Sequence, residues 1–486
     1  MAKERMRDII VLIPGIMGSV LQKDGKDVWT TGRVAGTALT GLGSSSLQQL
    51  KLEGDDPDVD DLEDGIKATR LITVPHLIGG LIKTDDYSAL SRLITDHFEV
   101  IKANLDDKCP ANFFEFPYDW RRDNRFVAHS FKQLIDRRLP QWREYSGAKD
   151  AKVIILAHSM GGLIARYYLE VLQGWQHCRT LVTFGTPHRG AVDAVNFVAN
   201  GYKKIFLELS EVVRSFTSVY QLMPIYKMVN VAGRYQRVAE TDGIPNVVRE
   251  RAEQALAFHR EIEAAVDQHL NDVQYLRSGY RIIPVVGFRQ DTLQSAELSQ
   301  GKLTASYELP TEIASSLGEG DGTVPRFSAI PIELDQEYRE TYIAQRHSCL
   351  HSSLQTLSDL CERLKQMQIR HKPVRGSEPS EEVAQRAAIS LNLDDLYLTN
   401  EPVILRAKIL NLSADPGVLK ASITPVSRDG QPLDLEFEQQ DHQWVLPIET
   451  LPQGLYRLEV WTRKSGPLAP MPVQDLFAVV NECAVN

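Results

Sequence analysis

The stretch Ala157-His158-Ser159-Met160-Gly161-Gly162 decides the fold, because it joins two patterns that follow one another directly. Residues 153–156 before it form a short apolar run, which is typical of a buried parallel strand. After it, apolar side chains recur at helical spacing until Gly174 ends the pattern. A serine in a sharp strand-to-helix turn needs small residues two positions before and after it, and Ala157 and Gly161 meet this need. The stretch therefore predicts a serine hydroxyl exposed at the edge of a sheet.

This serine is the predicted nucleophile of an acyl transfer. The helix begins near Met160, so its unpaired N–H groups lie beside the place where an oxyanion develops. The alternative is that Ser159 is only the N-cap of an ordinary helix. The order of strand, serine, glycines and helix favours the nucleophile.

Short apolar runs alternate with amphipathic segments along the first two-thirds of the chain. The runs cover residues 9–13, 153–156, 181–184 and 282–286, and turn residues bound each of them. Helical patterns lie between them, such as residues 248–270, where apolar side chains recur within a charged segment. This alternation predicts a doubly wound, mostly parallel sheet, and the serine turn on such a sheet predicts an α/β-hydrolase.

Length and composition divide the chain into two domains. Its 486 residues exceed what one compact core usually holds. Residues 1–370 form the predicted catalytic domain. Residues 371–385 are polar and contain proline, glycine and serine, which predicts a linker. In residues 386–486 the apolar period becomes two along closely spaced strands, which predicts an accessory β-sandwich.

Two segments of the first domain, residues 28–108 and 191–245, interrupt the α/β alternation. They are longer than the connections that such a sheet needs, so we expect them to form a cap over Ser159. Residues 74–82 within the first segment are apolar and contain paired glycines. A buried packing segment is favoured for them over a mobile lid that touches lipid.

Residues 54–65 are rich in aspartate and suggest a calcium loop at first sight. Counting from Asp56, the glycine of an EF-hand loop is missing at the sixth position, and Lys67 stands where a bidentate glutamate belongs. An acidic loop in solvent is the favoured interpretation.

Charge and cysteine content exclude several classes of protein. A net charge of −10 argues against a general nucleic-acid binder. The 5 cysteines are odd in number and widely spread, which argues against a disulfide framework or a zinc site and favours a reducing compartment. No segment approaches the ~18 apolar residues of a membrane span. The sequence predicts a cytoplasmic protein that uses no metal and no organic cofactor.

Three further segments join the serine stretch along the chain. They are Pro14-Gly15-Ile16-Met17-Gly18-Ser19, Phe116-Pro117-Tyr118-Asp119-Trp120-Arg121 and Gly320-Asp321-Gly322-Thr323-Val324-Pro325. In this order the four segments resemble the lecithin:cholesterol acyltransferase family, which includes phospholipid:diacylglycerol acyltransferases. The resemblance spans residues 9–360 and leaves the C-terminal β region outside it.

The resemblance implies roles for several residues. Ser159 is the nucleophile and Asp321 the acid of the triad, in the chain order that α/β-hydrolases use. The backbone N–H of Met160 is one oxyanion donor. The glycine-rich turn supplies the other from Ile16 or Met17, and the choice between these two stays open.

Two histidines follow the last predicted strand, residues 341–345. The base must lie in the loop just after this strand, so that its ring reaches both Ser159 and Asp321. His347 comes directly at the end of the strand, whereas His351 lies about one helical turn further on. The family pattern matches His347 in register, and His347 is therefore the predicted base.

Trp120, His158 and His188 are predicted to contact the substrate. Trp120 is a candidate wall of the pocket, while its neighbour Asp119 is assigned a structural role. His188 follows a strand close to the nucleophile but precedes the acid, which is the wrong order for the triad base.

The predicted function is that of a serine acyl hydrolase or O-acyltransferase acting on phospholipid or acylglycerol esters. The residues do not decide between water and an alcohol as the acceptor. Two alternatives remain, an amidase or peptidase with the same triad and a non-catalytic scaffold that uses the C-terminal β domain. The expected partner is a lipid ester, while a transient contact with a membrane surface and a protein partner for the β domain stay open.

Overall fold

The computed structural model of the protein describes residues 3–30, 48–78, 82–201, 207–334, 341–369, 387–411, 417–426, 431–440, 443–463 and 469–481. Within these ranges the chain forms a mixed α/β structure with one central parallel sheet and several antiparallel sheets. The predicted linker, residues 371–385, lies outside the described residues.

Seven strands form the central sheet, and each neighbouring pair in it is parallel. In spatial order they are Tyr342–Ile343, Arg281–Gly287, Cys178–Phe184, Val153–His158, Ile9–Ile13, Phe113–Glu115 and Lys102–Ala103. Each residue of Val153–His158 and of Ile9–Ile13 is buried. Burial on both faces explains why these strands read as continuous apolar runs in the sequence.

Helices connect strands of the central sheet, as parallel pairing requires, and one further helix follows its last strand. They are Ser88–His97, Asn124–Ser146, Met160–Arg166, Val192–Asn200, Leu207–Arg214, Thr217–Gln221, Arg249–His269, Val273–Arg277 and Leu354–Ile369. The helix after Ser159 is shorter than its apolar pattern, because a π-helical turn, Tyr167–Val171, continues it. Among the described helices, none has the length and apolar character to cross a membrane.

The end of the central sheet differs from the sequence-based expectation. The strand predicted over residues 341–345 is reduced to Tyr342–Ile343, and a 3-10 turn, His347–Cys349, precedes the last helix. The backbone explains the early end, because the N–H of Gln345 donates to the carbonyl of Ile343 at 2.8 Å. This local hydrogen bond uses the N–H that the next step of the strand ladder would need.

Several smaller sheets are also formed by the first two-thirds of the chain. They comprise Lys26–Trp29 with Ser19–Lys23 and Ile66–Leu71, then Arg234–Gln236 with Val229–Val231, Ser295–Ser299 and Lys302–Ser306, and the short pair Glu4–Arg5 with Phe98–Glu99. The apolar segment at residues 74–82 contributes a hairpin of His76–Ile78 with Ile82–Thr84. Residues 79–81 of that segment lie outside the described part of the chain.

The acidic loop wraps around a single arginine. Arg122 donates to the backbone carbonyls of Asp56 at 2.9 Å, Val59 at 2.7 Å and Asp60 at 3.1 Å. Its Nε also pairs with the Asp55 carboxylate at 3.0 Å. Most residues of the loop are exposed, in agreement with the predicted acidic loop in solvent, while a buried guanidinium holds its backbone carbonyls.

The C-terminal β region, residues 387–481, contains two sheets. One is Ala388–Asn392, Val403–Leu410, Gln443–Ile448 and Glu438–Gln440, and the other is Leu396–Leu398, Val473–Val480, Gly454–Thr462, Leu419–Pro425 and Leu433–Glu436. Buried side chains from both sheets form one apolar cluster, to which Leu405 and Leu458 belong. Leu396 and Leu455 instead join the large core of the first two-thirds of the chain. The β region therefore packs directly against the central α/β structure.

Candidate active site

Ser159 lies in the sharp turn between the strand Val153–His158 and the helix Met160–Arg166. Its φ angle of 52° is in the left-handed region, which a non-glycine residue adopts at a cost. The turn has no room for larger neighbours, since a Cβ on Gly161 would lie 2.5 Å from the carbonyl oxygen of Pro14. The small residues of the motif are therefore required by the close approach of the neighbouring strand end.

The structure brings Ser159, His347 and Asp321 together at the carboxyl edge of the central sheet. His347 Nε2 lies 3.0 Å from Ser159 Oγ, and His347 Nδ1 lies 2.7 Å from Asp321 Oδ2. All three residues are buried, with exposed fractions of 8% for Ser159, 6% for His347 and 1% for Asp321. With the proton on Nδ1 facing the carboxylate, Nε2 is free to accept the serine proton.

The loop around Asp321 fixes the orientation of its carboxylate. Oδ1 accepts the backbone N–H groups of Thr323 at 3.0 Å and Val324 at 2.7 Å, which leaves Oδ2 for the histidine. The backbone N–H of His347 also donates to the Asp321 carbonyl at 2.8 Å. The acid and the base are thus held to each other through both backbone and side chain.

The glycine-rich turn after the strand Ile9–Ile13 lies on the other side of Ser159. The backbone N–H of Gly15 donates to the Tyr87 hydroxyl at 2.8 Å, which holds the turn in place. Ile16 lines the cavity beside Ser159, whereas the carbonyl of Met17 accepts from the indole of Trp29 at 3.1 Å. Met160 is the first residue of the helix, where backbone N–H groups have no acceptor within the helix.

His158 lies behind the three residues and not in the cavity. Its Nδ1 is 3.0 Å from the Tyr87 hydroxyl, and its Nε2 donates to the carbonyl of His347 at 3.4 Å. Its ring also contacts that of His351, with centroids 4.4 Å apart. His351 stacks on Tyr87 and its Nε2 donates to the backbone carbonyl of Asp86 at 3.3 Å, so the geometry presents His347 to the serine.

A cavity of about 30 Å³ adjoins Ser159 and His347. The predicted cap segments contribute to its wall, with Lys83 and Thr84 from the first and Asp193 and Leu222 from the second. Burial raises the pKa of Asp193 to about 8, and the nearby carboxylates of Asp395 and Asp321 add to this effect. At neutral pH the wall therefore carries a carboxyl group that is largely protonated.

Trp120 and His188 lie away from this cavity. Trp120 is fully buried, donates from Nε1 to the Ser19 carbonyl at 2.9 Å and packs edge-on against Trp29 and Phe216. This position in the core does not favour a pocket wall. His188 lines a different cavity, and burial holds its pKa well below the ordinary value. Because His188 lines a cavity other than the one beside Ser159, its position does not support the predicted contact with the substrate.

Sequence reasoning missed Tyr87, Lys83 and Asp193, all within the two long insertions. Their contacts to the site depend on how those insertions fold back over the sheet, and neither a motif nor periodicity marks them. Tyr87 lies directly before the helix Ser88–His97. Its hydrogen-bond partner Gly15 is 72 residues away in the chain, so no local pattern connects the two residues.

The family model of lecithin:cholesterol acyltransferase matches residues 108–242. The match covers less than a third of the 486 residues and includes the segment at residues 116–121 and the serine stretch. The resemblance found in the motifs is therefore confirmed for this part of the chain. No curated protein matches the chain at a significant level.

Proposed function

We propose that the protein is an α/β-hydrolase that transfers acyl groups from lipid esters through a triad of Ser159, His347 and Asp321. The observation that carries this proposal is the continuous chain of hydrogen-bond distances from Ser159 Oγ through both ring nitrogens of His347 to Asp321. A serine, a base and an acid in this geometry are the elements of nucleophilic acyl transfer.

In the proposed reaction, His347 Nε2 takes the proton of Ser159 as Oγ attacks the ester carbonyl. The tetrahedral intermediate collapses when Nε2 returns this proton to the departing alcohol, which leaves an acyl-enzyme. Water or an acceptor alcohol then attacks the acyl carbon and gives its proton to Nε2. When this second tetrahedral intermediate collapses, Nε2 returns the proton to Ser159 Oγ, and the acyl product is released. Asp321 stabilises the imidazolium that forms twice in this cycle.

The proposed oxyanion hole combines the backbone N–H groups of Met160 and Ile16. Met160 offers the first N–H of a helix next to the nucleophile. Ile16 is preferred over Met17 because Ile16 is among the residues that line the cavity beside Ser159. One hydrogen-bond donor aimed at the developing negative charge stabilises the transition state by about 3 kcal/mol.

A lipid ester is the proposed substrate because of the match to an acyltransferase family whose name specifies lecithin and cholesterol. The cavity wall is mostly apolar, with Ile16, Ala191, Ala194 and Leu222 among its residues. A volume of about 30 Å³ accommodates only about two water molecules. We therefore propose that the cap predicted over residues 28–108 and 191–245 moves to admit an acyl chain. The end of the first segment does not belong to this cap, because Lys102–Ala103 is a strand of the central sheet.

The domain boundaries remain part of the proposal. Residues 1–370 form the proposed catalytic domain, with residues 371–385 as linker and 386–486 as a β-sandwich. A shared apolar core between the two C-terminal sheets supports the sandwich.

The test of this function is labelling with a fluorophosphonate, which reacts with an activated serine. The intact protein should be labelled at one site, and Ser159→Ala should abolish both labelling and hydrolysis of a p-nitrophenyl ester. Ser299→Ala changes an exposed serine and serves as the matched control, for which we expect wild-type labelling. A Ser159→Ala protein with activity within tenfold of wild type would disprove the nucleophile.

A second measurement separates transfer from hydrolysis and tests the substrate class. The purified protein is incubated with radiolabelled phosphatidylcholine in vesicles, with and without a long-chain alcohol or a sterol. Free fatty acid alone identifies a hydrolase, and a new ester identifies a transferase. Amide cleavage without ester cleavage would contradict the proposal.

A further inference from the structure

The carboxylate of Asp475, on a strand of the C-terminal β region, is fully buried and has four partners. Oδ2 pairs with Lys83 Nζ at 2.8 Å and with Arg346 Nε at 2.8 Å. Oδ1 accepts from Ser348 Oγ at 3.0 Å and from the backbone N–H of Leu476 at 2.8 Å. These contacts use the acceptor capacity of the carboxylate, which fixes its position and that of its partners.

Two of these partners are the immediate neighbours of His347 in the chain. Arg346 also donates from Nη1 to the carbonyl of Leu391 at 2.8 Å, in the other sheet of the β region. One residue earlier, Gln345 Oε1 accepts the backbone N–H of Gln474 at 3.0 Å. The turn that carries the histidine is therefore tied to the β region on both sides of the ring.

The charges at this junction balance. Lys83 pairs with Asp395 at 2.9 Å in addition to Asp475, so two cations, Lys83 and Arg346, meet two carboxylates. Burial on its own would raise the pKa of Asp475, yet Arg346 and Lys83 hold this pKa below the ordinary value. Removing one charge from such a buried set leaves its partner uncompensated, which strongly destabilises the arrangement that holds Arg346 and Lys83 in place.

We infer that Asp475 is a positioning residue for His347, and that the C-terminal β region is part of the catalytic machinery. The inference rests on the proposed function, because it acts through the proposed base. The sequence indicated only an accessory role for the β region. This inference gives the β region a role in the reaction itself. A small displacement of the turn moves His347 Nε2 away from Ser159, and errors of about 1 Å in such a position cost about a hundredfold in rate.

The test compares rates of fluorophosphonate labelling of Ser159 in the full-length chain. Asp475→Asn keeps the shape of the side chain and removes its charge. Asp434→Asn makes the same change at an exposed position of the same β region and is the matched control. We expect labelling of Asp475→Asn to be slower by about tenfold or more, since the ring is displaced, and labelling of Asp434→Asn to match wild type.

A double-mutant cycle with His347→Ala separates positioning from a general loss of structure. If Asp475 acts only through the histidine, then Asp475→Asn causes no further slowing once His347 is alanine. If the substitution only reduces the folded fraction, it slows labelling by the same factor in both backgrounds. That second result would overturn the inference.

Each remaining outcome also decides the question. Wild-type labelling of Asp475→Asn would refute the inference and leave the proposed function intact. Absence of labelling in the wild type would refute the proposed function and this inference together. If Asp475→Asn does not fold, Ser348→Ala removes one hydrogen bond to the same carboxylate and should slow labelling about fivefold. An unchanged rate for Ser348→Ala would then overturn the inference.

Discussion

Gly185 follows the strand Cys178–Phe184 and touches the proposed acid and base at once. Its φ angle is +59°, and a Cβ added to it would lie 2.8 Å from His347 Nδ1 and 2.9 Å from Asp321 Oδ2. Those two atoms form the 2.7 Å hydrogen bond of the proposed triad. Gly185→Ala therefore inserts a methyl group directly against this hydrogen bond.

The size of the effect follows from these distances. Non-bonded heavy atoms are comfortable at about 3.5 Å or more, so the new methyl group is about 0.6 to 0.7 Å too close to both atoms. The ring of His347 must retreat or rotate, and a displacement of this size lowers kcat by about a hundredfold. The left-handed φ angle adds about 1–2 kcal/mol of backbone strain for alanine.

The assay measures kcat and KM with a soluble p-nitrophenyl ester, together with thermal unfolding. Gly147→Ala is the matched control, because Gly147 has a φ angle of +71° and no atom within 4 Å of the added Cβ. Both variants should lose stability, Gly185→Ala the more because of its added clash, while only Gly185→Ala should lose kcat. A Gly185→Ala protein with wild-type kcat would refute the proposed contact between Asp321 and His347.

Asp321→Asn is expected to lower kcat by about 10⁴, because an amide holds the wrong tautomer of the ring, and wild-type turnover would mean that another carboxylate orients the base. His347→Ala should abolish turnover of a p-nitrophenyl ester, whereas His351→Ala should retain it; the reverse result would move the base by one turn. Tyr87→Phe leaves a buried N–H of the glycine-rich turn without its acceptor, so chemical denaturation should show a loss of about 1–3 kcal/mol, and unchanged stability would contradict this hydrogen bond. The pKa of Asp193 is raised to about 8, so between about pH 4 and pH 8 the folded chain binds a proton that the unfolded chain lacks, and stability falls as pH rises through this window. Melting temperatures of Asp193→Asn should therefore vary less over this range than those of wild type, and an identical pH profile would speak against the raised pKa.

The sequence predicted five of the seven strands of the central sheet and missed the short strands Phe113–Glu115 and Lys102–Ala103. The strands predicted best are those buried on both faces. Ile9–Ile13 has the predicted bounds, and Val153–His158 extends the predicted run by two residues. Burial leaves an unbroken apolar signal that needs no partner to be recognised. The strand Tyr342–Ile343 was predicted too long, because periodicity does not reveal the local hydrogen bond from the N–H of Gln345 to the carbonyl of Ile343.

The sequence predicted those site residues that their immediate neighbours in the chain identify. It did not predict the contacts that join distant segments. The small residues on either side of Ser159 predict its turn, and the glycines that flank Asp321 predict the loop of the acid. Contacts such as Lys83 with Asp475, 392 residues apart, depend on how the β region meets the sheet. The triad roles and the cytoplasmic location stay predictions.

The acidic loop has a consequence for metal dependence. The carbonyls of Asp56, Val59 and Asp60, which resemble ligands offered to a calcium ion, already converge on the guanidinium of Arg122. Arginine is covalently part of the chain and stays charged at any pH that the protein meets. This loop therefore carries its own cation, and its folding should be indifferent to chelators and to the calcium supply.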